Sequence, residues 1–420
     1  MDLTAGKGPG RRAPARAARA ARTTTAAVCV GAMVAAGLLA TGATAHGADA
    51  GGAQLRLQRD ADAVRHTGAT GLLVEVRDAA GRTTTARSGV ADLRRGGPVP
   101  QRSYYRIGSD TKTMVAVVAL QLVAEGALSL DDTVERRLPG VVAGNGNDGS
   151  RVTLRNLLQH TSGLTDYTDI LFEDPEKLTP AYYREHRFSA QTPGEQVALA
   201  MTRAPGWLPD ADDPGSQTRW AYSNTNYVLA GMIIERVTGR PWEHAVHERI
   251  VEPLGLRRTM SMGTSAYVPR PTASGYTQFP GRRGLTDTTV SVGGGADGGV
   301  VSTAADMNVF LRALMGGDLL PPAQLAQMRT TVPAPVGDDG GPERYGLGIA
   351  WRPAPGCADG VWYHGGTSFG TVSETAVTPD GRASAAAAVF TTRFGDEKRF
   401  LEQAAASIRL VDRAVCAKRR

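Results

Sequence analysis

Apolar residues follow two rhythms along this chain, and they change over twice. Near the N-terminal side, Gly71 to Arg77 and Arg82 to Ser88 read as two strands around the turn Asp78-Ala79-Ala80-Gly81. Tyr104 to Ile107 reads as a third short strand that Gly108 breaks. From Ser109 to Gly126 the period is helical, but Met114, Val115, Val117, Val118, Leu120, Leu122 and Val123 put apolar side chains on every face. Such a helix is buried in the middle of a protein, so its polar first turn must face a cleft.

From 127 to 285 the chain reads as helices, long loops and Pro/Gly breaks. Thr153 caps a helix over 154–160, and Asn226 to Thr238 is a helix stopped by Gly239 and Pro241. The acidic, Pro-rich stretch 208–216 is a surface loop. Two short helices (303–316 and 321–329) precede a return of strand signals at Tyr345–Trp351, Val361–His364, Thr371–Thr378 and Ala383–Thr391. Pro379-Asp380-Gly381 is the hairpin turn there, and a final amphipathic helix covers about 397–414. No internal repeat is present. The class is α/β in the α+β sense: a sheet domain built by both chain ends (54–126 and 286–416) with an all-helical domain inserted at 127–285.

Charge alters this picture only at the start. Residues 1–45 hold Lys7, Arg11, Arg12, Arg16, Arg19 and Arg22 against Asp2, which leaves +1 of the chain's formal +6 for the rest. That remainder has no basic footprint for nucleic acid. The segment has the layout of a secretory signal: basic to Arg22, apolar from Ala26 to Leu39, then Ala43-Thr44-Ala45 as a small-x-small cleavage pattern. The alternative is an uncleaved anchor, but so Ala/Gly-rich a run makes a weak membrane span. Residues 46–53 are then a linker and 54–66 a short helix. Secretion is the expected destination, by the general route, without lipidation at Cys29. Export leaves Cys357 and Cys416, which in an oxidising compartment pair as a disulfide stapling the C-terminus to the last sheet; two unpaired buried thiols are the alternative. Neither cysteine has a histidine at ligand spacing, and no metal or other cofactor is expected.

Three clusters carry candidate chemistry. In Ser109-Asp110-Thr111-Lys112, positions i and i+3 share a helix face, so Oγ and Nζ can meet, and free N–H groups at the helix start can hold an oxyanion. The lysine is informative because only five of the 47 basic residues are lysines; a desolvated lysine can act as a base, whereas arginine stays protonated. Alone the motif is weak, arising by accident in roughly one such chain in five. Tyr222-Ser223-Asn224 precedes a helix, where Tyr222 can relay a proton and Asn224 can hold a substrate carbonyl; a packed tyrosine with an asparagine cap is the other reading. His364-Gly365-Gly366-Thr367 closes a strand. Its glycines let a substrate backbone lie against the edge, with Thr367 N–H completing an oxyanion hole; a plain glycine turn is the alternative.

In this order the three motifs resemble the signature of the serine β-lactamase and penicillin-binding protein clan, most closely the secreted D-alanyl-D-alanine carboxypeptidases and class C β-lactamases. Leu157–Leu164 (LLQHTSGL), Tyr222–Tyr227 (YSNTNY), Tyr345-Gly346-Leu347-Gly348 and the cysteine pair share in the similarity, which covers about 54–416. The resemblance implies an antiparallel sheet flanked by helices beside an all-helical domain, with the site in the cleft between. It implies that Ser109 is acylated, that Lys112 and Tyr222 handle the proton, and that Asn224 binds the substrate amide. Ser109 and Thr367 would supply the oxyanion N–H groups, with His364, Gly365, Gly366 and Thr367 lining the strand side. Two departures touch the hold on a terminal carboxylate. Gly365 lacks the usual hydroxyl, and Ala350 and Trp351 stand where arginine is usual, with Arg352 displaced.

Rival motifs fit less well. Gly366-Thr367-Ser368-Phe369-Gly370 matches a nucleophile elbow, but no histidine follows His364 in the chain. Gly144–Gly149 matches a nucleotide loop without a preceding strand, Asp210-Ala211-Asp212 lacks the closing acid of a calcium loop, and His244 with His247 has no third ligand. The expectation is a secreted, monomeric serine hydrolase acting through a Ser109 acyl-enzyme on a small peptide, ester or β-lactam. D-alanyl-D-alanine carboxypeptidase action on a cell-wall peptide leads. Esterase and β-lactamase are alternatives, as is a β-lactam-binding sensor without turnover.

Overall fold

Strands that begin and end the chain meet in one sheet. The computed structural model describes residues 40–335 and 342–417, with side chains from Gly51 on. The export segment expected over 1–45 therefore lies, apart from its last six residues, outside the described residues. Met1–Asp49 and Ala50–Arg420 form separate units, and the fold below is that of the second. The first helix, α1, runs Ala40–His66. It starts well before the expected residue 54 and runs through residues 46–53, which the sequence reading takes as a linker.

The main sheet holds β1 (Gly71–Arg77), β2 (Thr83–Gly89), β3 (Val332–Pro333), β4 (Arg344–Tyr345), β5 (Ala350–Ala354), β6 (Cys357–Tyr363), β7 (Gly365–Ser368), β8 (Thr371–Val377) and β9 (Ser384–Val389). Its order is β3-β4-β5-β6-β8-β9-β1-β2, with β7 paired to β8 beyond the end of β6. Every pairing in this sheet is antiparallel. Such a sheet lets sequence-distant strands meet directly: Leu72 faces Val389 across the β1–β9 ladder. Among the described residues no helix is long and apolar enough to cross a membrane.

Alternation assigns the faces. Val74, Val372, Ala385 and Ala387 pack with Leu410 and Val411 of the C-terminal helix and with Leu57 and Ala61 of α1. Ala386, Ala388 and Val377 pack on the opposite face, into the cluster that holds α2 (Asp110–Ala124). β9 is buried on both faces, which explains its run of alanines: both helical layers must come close. Residues 114 to 120 of α2 are fully buried, as its all-round apolar pattern requires.

Three boundaries differ from the pattern-based reading. The strand expected at 104–107 is only Tyr105–Arg106, and it joins a small sheet with Met260–Ser261 and Val300–Ser302. The single strand expected over 345–351 is divided into β4 and β5. Gly348, with φ +77°, leaves the sheet there and presses on α2, where its carbonyl accepts from Thr113 Oγ1 at 2.7 Å. The Gly144–Gly149 loop contains a two-residue hairpin, Ala143–Gly144 with Asn147–Asp148.

Cys357 and Cys416 form a disulfide 59 residues apart in sequence, fastening β6 to the end of the C-terminal helix α7 (Glu397–Val415), which comes after α6 (Ala304–Gly316) in the chain. A cross-link of this loop length restricts the unfolded chain. The double variant Cys357→Ser/Cys416→Ser is expected to lose about 2–4 kcal/mol of stability in urea titration. An unchanged midpoint would show that the bridge adds nothing.

Candidate active site

Ser109 stands at the mouth of α2, partly exposed, with the helix behind it sealed. Gly108, at φ +53°, turns the chain from the small sheet into the helix. β7 crosses close in front. A Cβ on Gly366 would lie 1.9 Å from Ile107 O and 2.8 Å from Ser109 N, and one on Gly108 would lie 2.9 Å from Thr367 N. Only glycines allow this approach. It sets Ser109 N–H and Thr367 N–H side by side, the two donors an oxyanion needs.

Lys112, one turn into α2, is fully buried. Its Nζ donates to Asn224 Oδ1 at 2.7 Å, to the Asp297 carbonyl at 2.6 Å and to Ser109 Oγ at 3.1 Å. The first two partners can only accept. A neutral amine has two hydrogens and one lone pair, so once it deprotonates both hydrogens are committed and the lone pair is left facing Ser109 Oγ. Burial lowers its pKa from the ordinary lysine value to about 8, opposed by the charges of Asp297, Asp166 and Asp110.

Around this pair the partners are fixed in turn. Asn224 opens α5 (Asn224–Thr238), and its Nδ2 donates to Asp166 Oδ2 at 2.9 Å and Thr168 Oγ1 at 3.2 Å. The amide is thereby oriented with its oxygen toward Lys112. Asp166 also accepts from Asn224 N at 3.0 Å and caps α4 (Tyr167–Glu173). The ring of Tyr222 lies with its centroid 4.9 Å from Lys112 Nζ, and Ser109 favours its ionised form. Burial dominates, however, and raises the phenol well above its ordinary range, so Tyr222 keeps its proton. His160 follows α3 (Leu154–Gln159) and holds this loop: its Nδ1 accepts from Ser223 N at 3.2 Å, and its ring lies 4.3 Å from that of Tyr222.

His364 is neutral. Its Nδ1 lies 2.7 Å from Gly365 O, which can only accept, so Nδ1 carries the hydrogen and Nε2 accepts from Tyr345 OH at 3.0 Å. Burial, with the nearby Lys112 charge, lowers its pKa to about 3. Asp110 is sealed beneath Ser109, 2.5 Å from Ser373 Oγ and 3.1 Å from Thr375 Oγ1, and burial pushes its pKa up to about 8.

Residues 42–411 match the sequence family described as Beta-lactamase. The chain belongs to the beta-lactamase family. Among solved structures it is similar to a D-stereospecific amidohydrolase from Streptomyces sp., at 38% identity and TM-score 0.72, covering 82% of this chain and 96% of that one. It is 33% identical to monacolin J acid methylbutanoyltransferase of Aspergillus terreus, over 46% of this chain and 48% of that protein. It is 34% identical to esterase EstB of Burkholderia gladioli, over 40% of this chain and 41% of that protein. The chain thus spans about half the length of the curated relatives it matches. Its fold is that of the beta-lactamase and penicillin-binding protein family.

The structure of this family member brings Ser109, Lys112, Tyr222, Asn224, His364, Gly366 and Thr367 to one site. Gly365 faces the other way, toward the α7 side of the sheet, where its Cβ would meet Glu374 Oε2 at 3.1 Å. The Asn224 amide donors, expected to meet substrate, are spent on Asp166 and Thr168. The pattern reading missed the Asp297 carbonyl, Asp166, His160 and Asp110. Asp110 and His160 lay inside motifs already marked, Asp166 reads as an ordinary helix cap, and a backbone carbonyl has no residue type to betray it.

Two results are expected. kcat/KM should rise about tenfold per unit to near pH 8 and then level as Lys112 loses its proton, and Lys112→Arg should cost about 10³-fold across the range. A flat profile from pH 6 to 9 would remove Lys112 as the base. Gly366→Ala should lower kcat by at least about 10²-fold while leaving circular dichroism unchanged, because its methyl meets Ile107 O and Ser109 N. Full activity would contradict the oxyanion assignment.

Proposed function

We propose that this protein is an exported serine amidohydrolase and esterase, acting on small acyl donors that carry no free carboxylate beside the bond to be cut. The observation that carries this reading is the Lys112 lone pair left facing Ser109 Oγ. Lys112 takes the Ser109 proton as Oγ attacks the substrate carbonyl, and the negative oxygen is received by the N–H groups of Ser109 and Thr367. Tyr222, with Lys112, hands the proton to the leaving nitrogen or oxygen. Water then repeats the attack on the acyl-enzyme.

The D-alanyl-D-alanine carboxypeptidase reading is favoured by the motif order. It asks for a cation or hydroxyl to hold the leaving residue's carboxylate. His364 is neutral, Gly365 has no side chain, and Arg352 is tied to Asp412 and Glu374. The amidohydrolase and esterase relatives support an uncharged leaving group instead. Export rests on the basic, apolar and small-x-small sequence of residues 1–45.

Release of ammonia from D-amino acid amides and of p-nitrophenol from p-nitrophenyl acetate tests the reading. Ser109→Ala is expected to lower both by more than about 10⁴-fold, and intact mass should show an acyl adduct on the parent protein alone. Equal activity of parent and variant would overturn it. A penicillin adduct lasting for hours, without turnover of amides or esters, would make the protein an acylated binding module.

A further inference from the structure

On the face of the sheet away from α2, the residue opposite Gly365 is Glu374. Glu374 is buried, and its Oε1 accepts from Arg352 Nη1 at 3.0 Å. Arg352 is otherwise spent on Asp412, with Nη2 at 2.7 Å and Nε at 3.1 Å from its two oxygens. One guanidinium therefore serves two carboxylates, and the group keeps an excess negative charge when both acids are ionised. The second oxygen, Glu374 Oε2, has no hydrogen-bond partner among the described residues. It points at the space where Gly365 lacks a side chain, 3.1 Å from the Cβ position. Gly365 is itself part-exposed on β7, two residues before Thr367 N–H, and β7 pairs only with β8 among the described residues. A substrate lying along that edge with its carbonyl oxygen at Thr367 passes over Gly365 with its next group.

From this placement we infer that Gly365 and Glu374 form a subsite that receives a substrate group offering N–H donors, such as a terminal carboxamide, and rejects a carboxylate. It rests on the proposed action of Ser109 and names the chemistry of the substrate's far end. The missing side chain opens the path, and the free carboxylate oxygen accepts from the incoming N–H. A carboxylate in the same place would meet a second buried negative charge with the neighbouring cation already occupied, which is discrimination by repulsion as well as by attraction. Burial raises Glu374 to about pH 7, so in mildly alkaline solution the acceptor is ionised.

Titration calorimetry at pH 8.5 tests this on full-length Ser109→Ala protein, which binds without turning over. The two probes are N-acetyl-D-alanyl-D-alanine and the same peptide ending in a carboxamide. The carboxamide is expected to bind at least about tenfold more tightly, as a hydrogen bond to a charged group warrants. Adding Glu374→Gln should bring the ratio close to one. Gly365→Ala, which keeps Glu374 and covers its oxygen with a methyl group, should narrow it as well. Equal binding of the two peptides, tighter binding of the carboxylate, binding of neither, or a ratio that survives both substitutions would overturn the inference. Whether Ser109 turns over amides is read separately from parent protein, so failure of one leaves the other standing.

Discussion

An amine with only uncharged partners sits at the centre of this fold, and the elements around it are arranged to keep it there. Lys112 touches an amide oxygen, a peptide carbonyl and a hydroxyl. Holding its pKa near 8 instead of 10.5 corresponds to about 3 kcal/mol of strain against the charged form. α2 supplies the desolvation by being apolar on every side. α5 supplies Asn224, and the turn before Val300 supplies the Asp297 carbonyl. A carboxylate in place of either acceptor would hold the proton on Lys112 and remove the base.

Close backbone approach is the second constraint. Three segments press on the first turns of α2: Gly108 bends the chain into it, Gly366 passes Ser109 N, and Gly348 touches Ala116 and the Lys112 carbonyl, where a Cβ would lie 2.4 and 3.1 Å away. The sheet edge and the helix start are thereby fixed relative to each other without a charged contact. Asp110 adds side-chain fastening through Ser373 and Thr375 on β8. Ser109, Lys112 and the N–H groups of Ser109 and Thr367 share one rigid junction, which is what the proposed reaction, stabilising charge by preorganised dipoles, requires.

Much of this was legible in the residues. The all-round apolar helix announced a buried element with a polar tip, and the rarity of lysine marked Lys112. Strand signals at both ends located the sheet. What stayed hidden depends on partners that no local pattern records. Tyr345 to Trp351 alternates like one strand, yet α2 draws Gly348 out of it. Asn224 looks like a substrate ligand until Asp166 and Thr168, 58 and 56 residues earlier, claim its two hydrogens. Asp297 acts through its carbonyl, which every residue type shares.

Arg352 shows how small a displacement redirects a functional group. Moving a side chain by two positions along a strand keeps its face of the sheet and shifts it by roughly 7 Å. From position 350 a guanidinium would stand opposite Tyr363, next to Gly365 and the β7 edge; from 352 it stands opposite Val361, against α7. There Asp412 meets it bidentately, and Glu374 joins it from β8. The cation becomes a fastener between sheet and helix, its charge more than balanced by two acids. The strand edge beside Ser109 is left with a neutral histidine and a glycine, and behind the glycine lies the second carboxylate oxygen of Glu374.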